Sequence, residues 1–345
     1  MSAPHADEDA IALFDILTGR CRAQAVSAAA QLGLADTLAS GPLSAQALAQ
    51  QLDCDASRLE RLLLYLVSLE VCSREGKDDS DQDTYGLTSL GRTLTADALG
   101  PLASYLGSPE QWDPWSRLAD SLRPGAKPAF ALTHGTDLYA YMAENDLAAA
   151  RYDKAIESFT RQEALALVEV LDLSNVTRLV DLGGGRGTLL TTLLQRWPEL
   201  TGVLVDLPDV LERTLDHVPA EVVDRLEIAP GDFLKTVPQN ADAYLISHVL
   251  HNWDDDQATA LLSRCAQALP PGGRVFVLEC LLLPGDLAHR GRHLDLEMLI
   301  VTGGKERSKI DLRRLFTKAG LKLEPVQAVS QSSWLLTGTR REPSP

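Results

Sequence analysis

The sequence predicts an α/β protein in which a doubly wound, mostly parallel sheet follows a mainly helical N-terminal domain. From residue 178 onward, short apolar segments rich in β-branched residues alternate with segments of helical period. That alternation is typical of a parallel sheet with helices on both faces. Before residue 178 the helical period dominates, and 345 residues are too many for one ordinary core. We therefore expect three segments, residues 10–100, 101–177 and 178–345.

The first segment has the pattern of a winged helix: helices, then two short strands around a polar stretch that would form the wing. The predicted elements are a helix over 11–38 that breaks at Gly33, a helix capped by Ser44, a helix that opens at 55–58, and strands at 71–74 and 84–88. A winged helix suggests DNA binding, but the candidate recognition helix, 57–69, carries only Arg58 and Arg61 as cations. The alternative is a dimerisation or substrate-lid module of the same shape.

Composition favours this alternative. The net charge is −16, which repels phosphate backbones, so no nucleic-acid partner is expected.

The five cysteines are scattered and form no C-x-x-C pair, which argues against a disulfide framework and a metal site and favours five small buried residues. The acidic start lacks a secretory signal and no apolar run is long enough to span a bilayer, so we expect a cytoplasmic protein without membrane contact.

The middle segment begins with a connecting region of short helices over 101–128, and a long helix is predicted over 143–171. The last segment then alternates strands and helices. Strands are predicted at 178–182, 202–206, 226–229, 243–247 and 274–279, and helices at 187–197, 210–215 and 255–269. The end of the chain departs from this pattern, because 321–329 and 333–339 are separated by three residues and should form an antiparallel hairpin.

A glycine-rich turn directly follows the first strand, in the segment VDLGGGRG (180–187). Glycines let the backbone turn sharply and let a ligand approach without meeting a Cβ, and the next helix offers unpaired N–H groups. Such a turn alone is weak evidence, because dinucleotide sites use a similar one. No Gly-Lys-Ser/Thr follows, which excludes a P-loop.

Acidic residues at three successive strand ends favour S-adenosylmethionine over a dinucleotide. Asp181 would repel a pyrophosphate but suits the ammonium and sulfonium of an amino-acid-bearing ligand. Asp206, at the end of the next strand, can accept hydrogen bonds from ribose hydroxyls. After the third strand, Asp232 can accept from the adenine amino group and Phe233 can cover the ring. The alternative for each carboxylate is a helix cap or a solvated loop.

The chain resembles the S-adenosylmethionine-dependent O-methyltransferases with an N-terminal dimerisation domain, which include plant caffeate-type enzymes and bacterial enzymes that tailor natural products. The resemblance extends from about residue 11 to 340. The segments that carry it are VDLGGGRG (180–187), VLVDLPDV (203–210), PGDF (230–233), HVLHNWDDD (248–256), LPPGGRVFVLE (269–279) and GGKERS (303–308).

The resemblance implies that His251, in the H-x-W element, is the general base. Loss of its proton makes a phenol a good nucleophile, and a neutral imidazole can take that proton as the methyl group moves. Glu279 and Glu306 match the two acids that the family places around this histidine, where an acid fixes the imidazole tautomer. His248, three residues earlier, is expected to have only a structural role, in the sheet or beside the cofactor.

Further site residues are implied by the resemblance. The cofactor-binding residues are expected to be Asp181, Gly183, Gly185, Asp206, Leu207, Asp232, Phe233, Ser247 and Trp253. The acceptor is expected to contact Met142, Tyr152, Ile156, Phe159, Asn252, Met298 and Thr302, in a pocket beside the helices over 139–159. Two positions depart from the family pattern. Ser247 replaces the commoner Lys or Arg, as in anthracycline-modifying relatives, some of which do not methylate, and Asn252 replaces the commoner Asp.

The resemblance therefore implies a homodimeric enzyme that transfers a methyl group from S-adenosylmethionine to a hydroxyl of a small, aromatic natural product. Three alternatives remain: N-methylation, hydroxylation or ring-forming chemistry with the cofactor as an electrostatic element, and a ligand-responsive regulator built on the winged helix. Retention of His251 favours methyl transfer, and the lack of a basic recognition helix argues against the regulator.

Overall fold

A computed structural model describes residues 5–77, 79, 81–214, 218–286 and 288–340. Within it the chain divides into two compact units. The first comprises residues 1–112 and 150–158, and the second comprises 113–149 and 159–345. The three-segment division expected from the sequence stays a prediction.

The first unit consists of helices around a small antiparallel sheet, as the winged-helix prediction requires. Its sheet has the strand order β1 (Leu43–Ser44), β3 (Asp83–Leu87) and β2 (Cys72–Lys77), and the strand pairs are antiparallel. The elements are α1 His5–Gln31, α2 Leu34–Leu38, β1 Leu43–Ser44, α3 Ala45–Leu52, α4 Ala56–Ser68, β2 Cys72–Lys77, β3 Asp83–Leu87, a 3₁₀ turn at Gly91–Leu94, α5 Gly100–Leu106 and α6 Pro109–Trp112.

The helix boundaries of this unit have identifiable local causes. Gly33 adopts φ 70° between α1 and α2, a conformation that other residues rarely adopt. Ser44 accepts a hydrogen bond from the Ala47 N–H, and Asp55 accepts one from the Arg58 N–H, so each caps the helix that follows it. The two N-caps and the break at Gly33 confirm the sequence prediction.

The second unit alternates strands and helices. Its helices are α7 Leu118–Ser121, α8 Ala129–His134, α9 Leu138–Glu144, α10 Asp146–Val168 (of which 150–158 belongs to the first unit), α11 Thr188–Arg196, α12 Pro208–Glu212, α13 Asp255–Ala268, α14 Arg290–Val301 and α15 Lys309–Lys318. Its 3₁₀ turns are Asp113–Arg117, Val223–Arg225 and Leu250–Asn252. Its strands are β4 Arg178–Leu182, β5 Thr201–Asp206, β6 Leu226–Pro230, β7 Ala243–Ser247, β8 Arg274–Leu282, β9 Arg307–Ser308, β10 Leu321–Leu323, β11 Gln327–Ala328 and β12 Ser333–Arg340.

The main sheet has the strand order β10-β12-β8-β7-β4-β5-β6. Strands β8, β7, β4, β5 and β6 are mutually parallel, and β12 lies antiparallel to both β8 and β10. From β4 the chain continues to β5 and β6 on one side of this strand, and it later returns to the other side of β4 as β7. The strand order therefore reverses between β4 and β7. In open α/β sheets ligands bind at the carboxyl ends of the strands beside such a reversal.

Alternate residues of each strand face opposite layers, and both layers are apolar. Val180 and Leu182 belong to one buried cluster together with residues of α13 and α15, whereas Leu179 belongs to a second cluster together with residues of α10 and α11. The doubly wound, mostly parallel architecture is thereby confirmed, and the core fixes the strand ends that carry the site.

Prolines explain the main differences in element boundaries. The helix predicted over 210–215 begins at Pro208, a favoured first helical residue, and ends at Glu212; Leu215 lies outside the described residues. Strand β6 extends to Pro230, which is tolerated because β6 is an edge strand. The hairpin at the end is antiparallel as predicted, but its first half is divided into β10 and β11 around residues 324–326.

The cysteine prediction was wrong at two positions. Cys72, Cys265 and Cys280 are buried, but Cys54 is only partly buried and Cys21 is exposed on α1. Within the described ranges, none of the helices is long and apolar enough to cross a bilayer.

Candidate active site

The glycine-rich turn after β4 has the backbone that the motif predicts. Gly183 and Gly185 have φ of 73° and 56°, in the left-handed region that glycine favours. A Cβ on Gly184 would lie 2.5 Å from Oδ2 of Asp181, and one on Gly183 would lie 2.8 Å from Cγ2 of Val249. The turn therefore brings the end of β4 close to the segment that follows β7, and it requires glycine to do so.

Asp181 is the least solvated carboxylate of this turn. It is 1% exposed, and neither of its oxygens has a hydrogen-bond partner among the residues that the structure describes. Burial, with a further contribution from Asp206, raises the pKa of Asp181 to about 7. A buried carboxylate without partners requires a donor or a cation, and the ammonium and sulfonium of S-adenosylmethionine fit this requirement.

Asp206 holds the neighbouring loops together at the end of β5. Its Oδ2 accepts a hydrogen bond from the Gly185 N–H at 2.8 Å, and its Oδ1 accepts one from the Leu207 N–H at 2.8 Å. A carboxylate oxygen can accept more than one hydrogen bond, so the chemistry of Asp206 suits ribose hydroxyls. Asp206 therefore bonds to two loop N–H groups but does not cap α12, whose N-cap is Leu207, and its binding of the ribose stays a prediction.

Asp232 and Phe233 follow β6 at the same edge of the sheet. Asp232 accepts from the Leu234 N–H at 2.9 Å and pairs with Lys235 at 3.1 Å, so it has local partners besides the predicted adenine amino group. The Phe233 ring lies 3.3 Å from the place of a Cβ on Gly183, as a group covering a ligand ring beside this turn would.

His251 lies in the 3₁₀ turn Leu250–Asn252, just after β7, and contacts two buried acids. Its Nδ1 is 2.9 Å from Oε1 of Glu306 and 3.3 Å from Oε2 of Glu279. Oε1 of Glu279 also accepts from the Leu250 N–H at 2.8 Å. With Nδ1 directed at the acids, Nε2 is the ring nitrogen left for a ligand. The three residues that the sequence proposed as a catalytic group are therefore in contact.

Burial controls the protonation of this cluster. It lowers the pKa of His251 to about 4; Glu279 opposes this effect, and the positive charges of His248 and Arg307 add to it. Burial raises the pKa of Glu306 to about 7, and it also raises that of Glu279. His251 is therefore a neutral imidazole at neutral pH, which is the form that accepts a proton.

Two residues of GGKERS fix the turn that carries His251, and the sequence analysis gave neither of them a role. Arg307 is 3% exposed, and its guanidinium donates to the carbonyls of Leu250 and Trp253 at 2.8 Å and 2.6 Å. Gly304 packs so tightly that a Cβ there would lie 2.0 Å from the His251 carbonyl oxygen. Both residues lie in the GGKERS motif. The residues that they contact lie about 55 positions earlier in the chain, so helix or strand periodicity does not identify these contacts.

His248 forms a pair with a buried acid that the sequence did not predict, since only a structural role was expected of this histidine. Nε2 of His248 lies 2.7 Å from Oε2 of Glu163 on α10, and Oε1 of Glu163 accepts from the hydroxyl of Ser333 on β12. The rings of His248 and His251 have centroids 5.6 Å apart. No sequence motif connects α10 with these strands, so only the tertiary structure shows the pair.

The remaining cofactor candidates lie near this turn. Ser247 is the last residue of β7 and is partly buried. Trp253 follows the turn, and its ring stacks on Tyr139 of α9 with centroids 6.4 Å apart. Its indole N–H is buried and has no partner within the described part of the chain. Their contacts with a cofactor stay predictions.

The acceptor candidates fall into three groups. Phe159 lies edge-on to the His248 ring with centroids 5.7 Å apart, and the Asn252 side chain donates to the His248 carbonyl at 3.3 Å. Met142 is buried on α9, and Met298 and Thr302 are partly buried at the end of α14, with the Thr302 hydroxyl on the Met298 carbonyl. Tyr152 and Ile156 belong to the other compact unit. Substrate contact by these seven residues stays a prediction.

The doubly wound sheet, the carboxylates at the ends of β4 to β6 and the histidine paired with two acids after β7 fit the class of S-adenosylmethionine-dependent enzymes. Comparison with known proteins gives the family. The O-methyltransferase domain matches residues 115–322, and the O-methyltransferase dimerisation domain matches residues 14–97.

Curated relatives and solved structures agree with this match. The chain is 35% identical to the mitomycin biosynthesis 6-O-methyltransferase of Streptomyces lavendulae, over 90% of this chain and 88% of that protein. It is 36% identical to the 3-amino-4-hydroxybenzoate 4-O-methyltransferase of Streptomyces cremeus, over 95% and 90%. The structure of human N-acetylserotonin methyltransferase in complex with S-adenosylmethionine superposes with a TM-score of 0.88 at 26% identity, over 98% of this chain and 99% of that one.

The chain therefore belongs to the O-methyltransferase family with an N-terminal dimerisation domain. It is an O-methyltransferase, and its cofactor is S-adenosylmethionine.

Proposed function

We propose that the enzyme methylates a hydroxyl group of a small aromatic natural product and that His251 removes the hydroxyl proton. The observation that carries this proposal is the contact of His251 Nδ1 with Glu306 at 2.9 Å and with Glu279 at 3.3 Å, at the carboxyl ends of β7 and β8. When bound, the cofactor supplies an electrophilic methyl group. The name of the Streptomyces cremeus relative supports the acceptor class, since that enzyme is a 3-amino-4-hydroxybenzoate 4-O-methyltransferase.

The two acids give His251 the tautomer that a base needs. An ionised Glu306 accepts the Nδ1–H, which leaves the Nε2 lone pair for the acceptor hydroxyl. When Nε2 takes the proton, the carboxylates of Glu306 and Glu279 stabilise the imidazolium. Proton removal by a positioned base contributes about 10²–10⁴-fold to the rate, and alignment of the reacting oxygen with the methyl group supplies much of the remainder.

The cofactor residues divide by chemistry. Asp181 would bind the ammonium of the methionine part, and Asp206 the ribose hydroxyls. Asp232 and Phe233 would bind the adenine by hydrogen bond and by ring contact. These assignments are supported by the unpartnered carboxylate of Asp181 and by the position of all four residues at neighbouring strand ends.

We also propose that two copies of the chain form the working enzyme. The dimerisation-domain match supports this, and so does an exposed apolar row on α1, where Ile11, Phe14 and Leu17 are each at least 63% exposed. Replacing Phe14 and Leu17 with glutamate should shift the protein from dimer to monomer in light scattering. A variant that remains dimeric would contradict an interface at this row. A cytoplasmic location stays a prediction of the sequence.

The experiment that tests the function is turnover with a panel of phenols, hydroxybenzoates and hydroxylated polycyclic acceptors. S-adenosylhomocysteine release and formation of an aryl methyl ether are measured together. We expect both products in equal amounts, and none with matched compounds that lack the hydroxyl group. Transformation of an acceptor without S-adenosylhomocysteine release would instead support the non-methylating alternative, and an N-methyl product would support N-methylation.

A further inference from the structure

The structure contains a second histidine beside the base, held in a fixed position. His248 has φ 52°, in the left-handed region that a residue with a side chain rarely adopts. Its N–H donates to the Leu278 carbonyl at 2.9 Å, and its carbonyl accepts from the Asn252 side chain. Such a conformation persists only where the surroundings over-determine it, and it is typical of functional sites.

The partner of His248 is a buried carboxylate whose two oxygens both have partners. Glu163 bonds to His248 through one oxygen and to Ser333 through the other, and its side chain is 6% exposed. A buried carboxylate without a cation is costly, so this arrangement favours a protonated His248. Burial lowers the pKa of His248, but the charge and hydrogen bond of Glu163, with Glu279 and Glu306 at longer range, raise it to about 9.

We propose that Glu163 holds His248 as an imidazolium and that this fixed charge keeps the proton off His251 and off the two acids that contact it. The inference rests on the proposed role of His251 as the base. His248 acts through His251, so it is a positioning residue.

The charged groups around the cluster support this assignment. His248 faces Glu163 from α10, Glu279 from β8, and Glu306 from the loop before β9, and a positive charge there opposes protonation of His251, Glu279 and Glu306 alike. Arg307 adds a second positive charge near His251 and Glu306. Asp295 has the opposite effect, since its negative charge raises the pKa of Glu306. It also accepts a hydrogen bond from the backbone N–H of Glu306.

The result matters for catalysis because, without this charge, the two buried acids next to His251 would retain their protons to a pH well above neutral. A protonated Glu306 would donate to Nδ1 of His251 and move the ring proton to Nε2, where the acceptor must bind. The His248 charge favours the ionised acids and the neutral ring together, which is the single arrangement that lets Nε2 accept a proton.

Histidine NMR of the resting protein tests this without any acceptor. In protein labelled on histidine ring carbons, the seven histidines are followed from pH 3 to 10, and His248 and His251 are assigned from the spectra of His248→Gln and His251→Gln. We expect His248 to stay protonated to about pH 9 and His251 to stay neutral down to about pH 5. In His248→Gln the His251 midpoint should move up by at least one pH unit, since two unit charges about 5.6 Å apart at an effective dielectric of about 20 account for roughly two.

Glu163→Gln provides the second variant. With its partner neutral, His248 should titrate at least one pH unit lower than in the wild type. A double His248→Gln/Glu163→Gln variant should show a smaller rise of the His251 midpoint than His248→Gln alone, because no unpaired carboxylate remains. His293→Gln is the matched control, since His293 is exposed on α14 and should leave both midpoints unchanged.

The pH profile of kcat/KM separates this role from packing. In His248→Gln the acidic limb should move to higher pH, so that the rate loss at pH 6 exceeds the loss at pH 9 by tenfold or more. A packing role predicts an equal loss at every pH.

A wild-type His248 that titrates at or below pH 6.5 would overturn the inference, and so would an unmoved His251 midpoint in His248→Gln. If His248→Gln does not fold, the wild-type midpoint and Glu163→Gln decide. Because the NMR experiment involves no turnover, a failure of the proposed function would not be mistaken for a failure here.

Discussion

Gly304→Ala is expected to remove most of the activity while leaving cofactor binding almost intact. The added Cβ would lie 2.0 Å from the His251 carbonyl oxygen and 2.9 Å from Cα of Asn252, whereas ordinary contact begins at about 3.4 Å. The turn would have to move by about 1.4 Å, the difference between 3.4 and 2.0 Å. A displacement of about 1 Å at a reacting group can cost about 10²-fold. We therefore expect kcat to fall by about 100-fold, and stability by about 1–3 kcal/mol from overpacking.

The assay measures kcat and KM for an accepted phenol, cofactor affinity by calorimetry, and stability by urea unfolding. Gly19→Ala is the matched control, because a Cβ there, on the exposed part of α1, would meet no atom within 4 Å. The control should keep full activity. A folded Gly304→Ala enzyme with kcat within threefold of the wild type would refute the inference that this backbone contact fixes the base.

Three further results are expected. Activity should rise with pH through about 7, because the pKa of Glu306 is raised to about 7 and its ionised form accepts the Nδ1–H of His251; a Glu306→Gln enzyme with an unchanged profile would assign the limb to another group. Cofactor affinity, measured by calorimetry at pH 6, 7 and 8, should increase as Asp181 ionises above its raised pKa of about 7; Asp181→Asn should bind more weakly and lose this dependence. Arg307→Met should lower the free energy of unfolding in urea by about 3 kcal/mol, because two buried carbonyls lose charged donors; a loss below about 1 kcal/mol would contradict the role given to these bonds.

The fold and the strand-end positions of the proposed cofactor residues could be predicted from the sequence because their signals are local. Strand–helix alternation, the glycine-rich turn and the carboxylates at strand ends each lie within a few residues of the position that they define. The parallel sheet follows from that alternation, and it brings Asp181 and Asp206 to the same edge.

The support of the base could be predicted only in part, since it depends on contacts between distant segments. His251, Glu279 and Glu306 were proposed from the family resemblance, but the contacts of Arg307 and Gly304 became evident only when the loop was seen against the His251 turn. The Glu163–His248 pair joins residues 85 positions apart on a helix and a strand end. Neither period nor composition marks such a pair.

The most direct test of the central claim is the single-turnover rate of methyl transfer in the wild type and in His251→Gln, with an accepted phenol and saturating cofactor. Calorimetry confirms that the variant still binds the cofactor, and a single turnover excludes product release. If His251 is the base, the variant should bind the cofactor within about threefold of the wild type and transfer the methyl group about 10²–10⁴-fold more slowly. A folded, cofactor-binding variant whose rate lies within tenfold of the wild type would contradict the claim that His251 removes the proton.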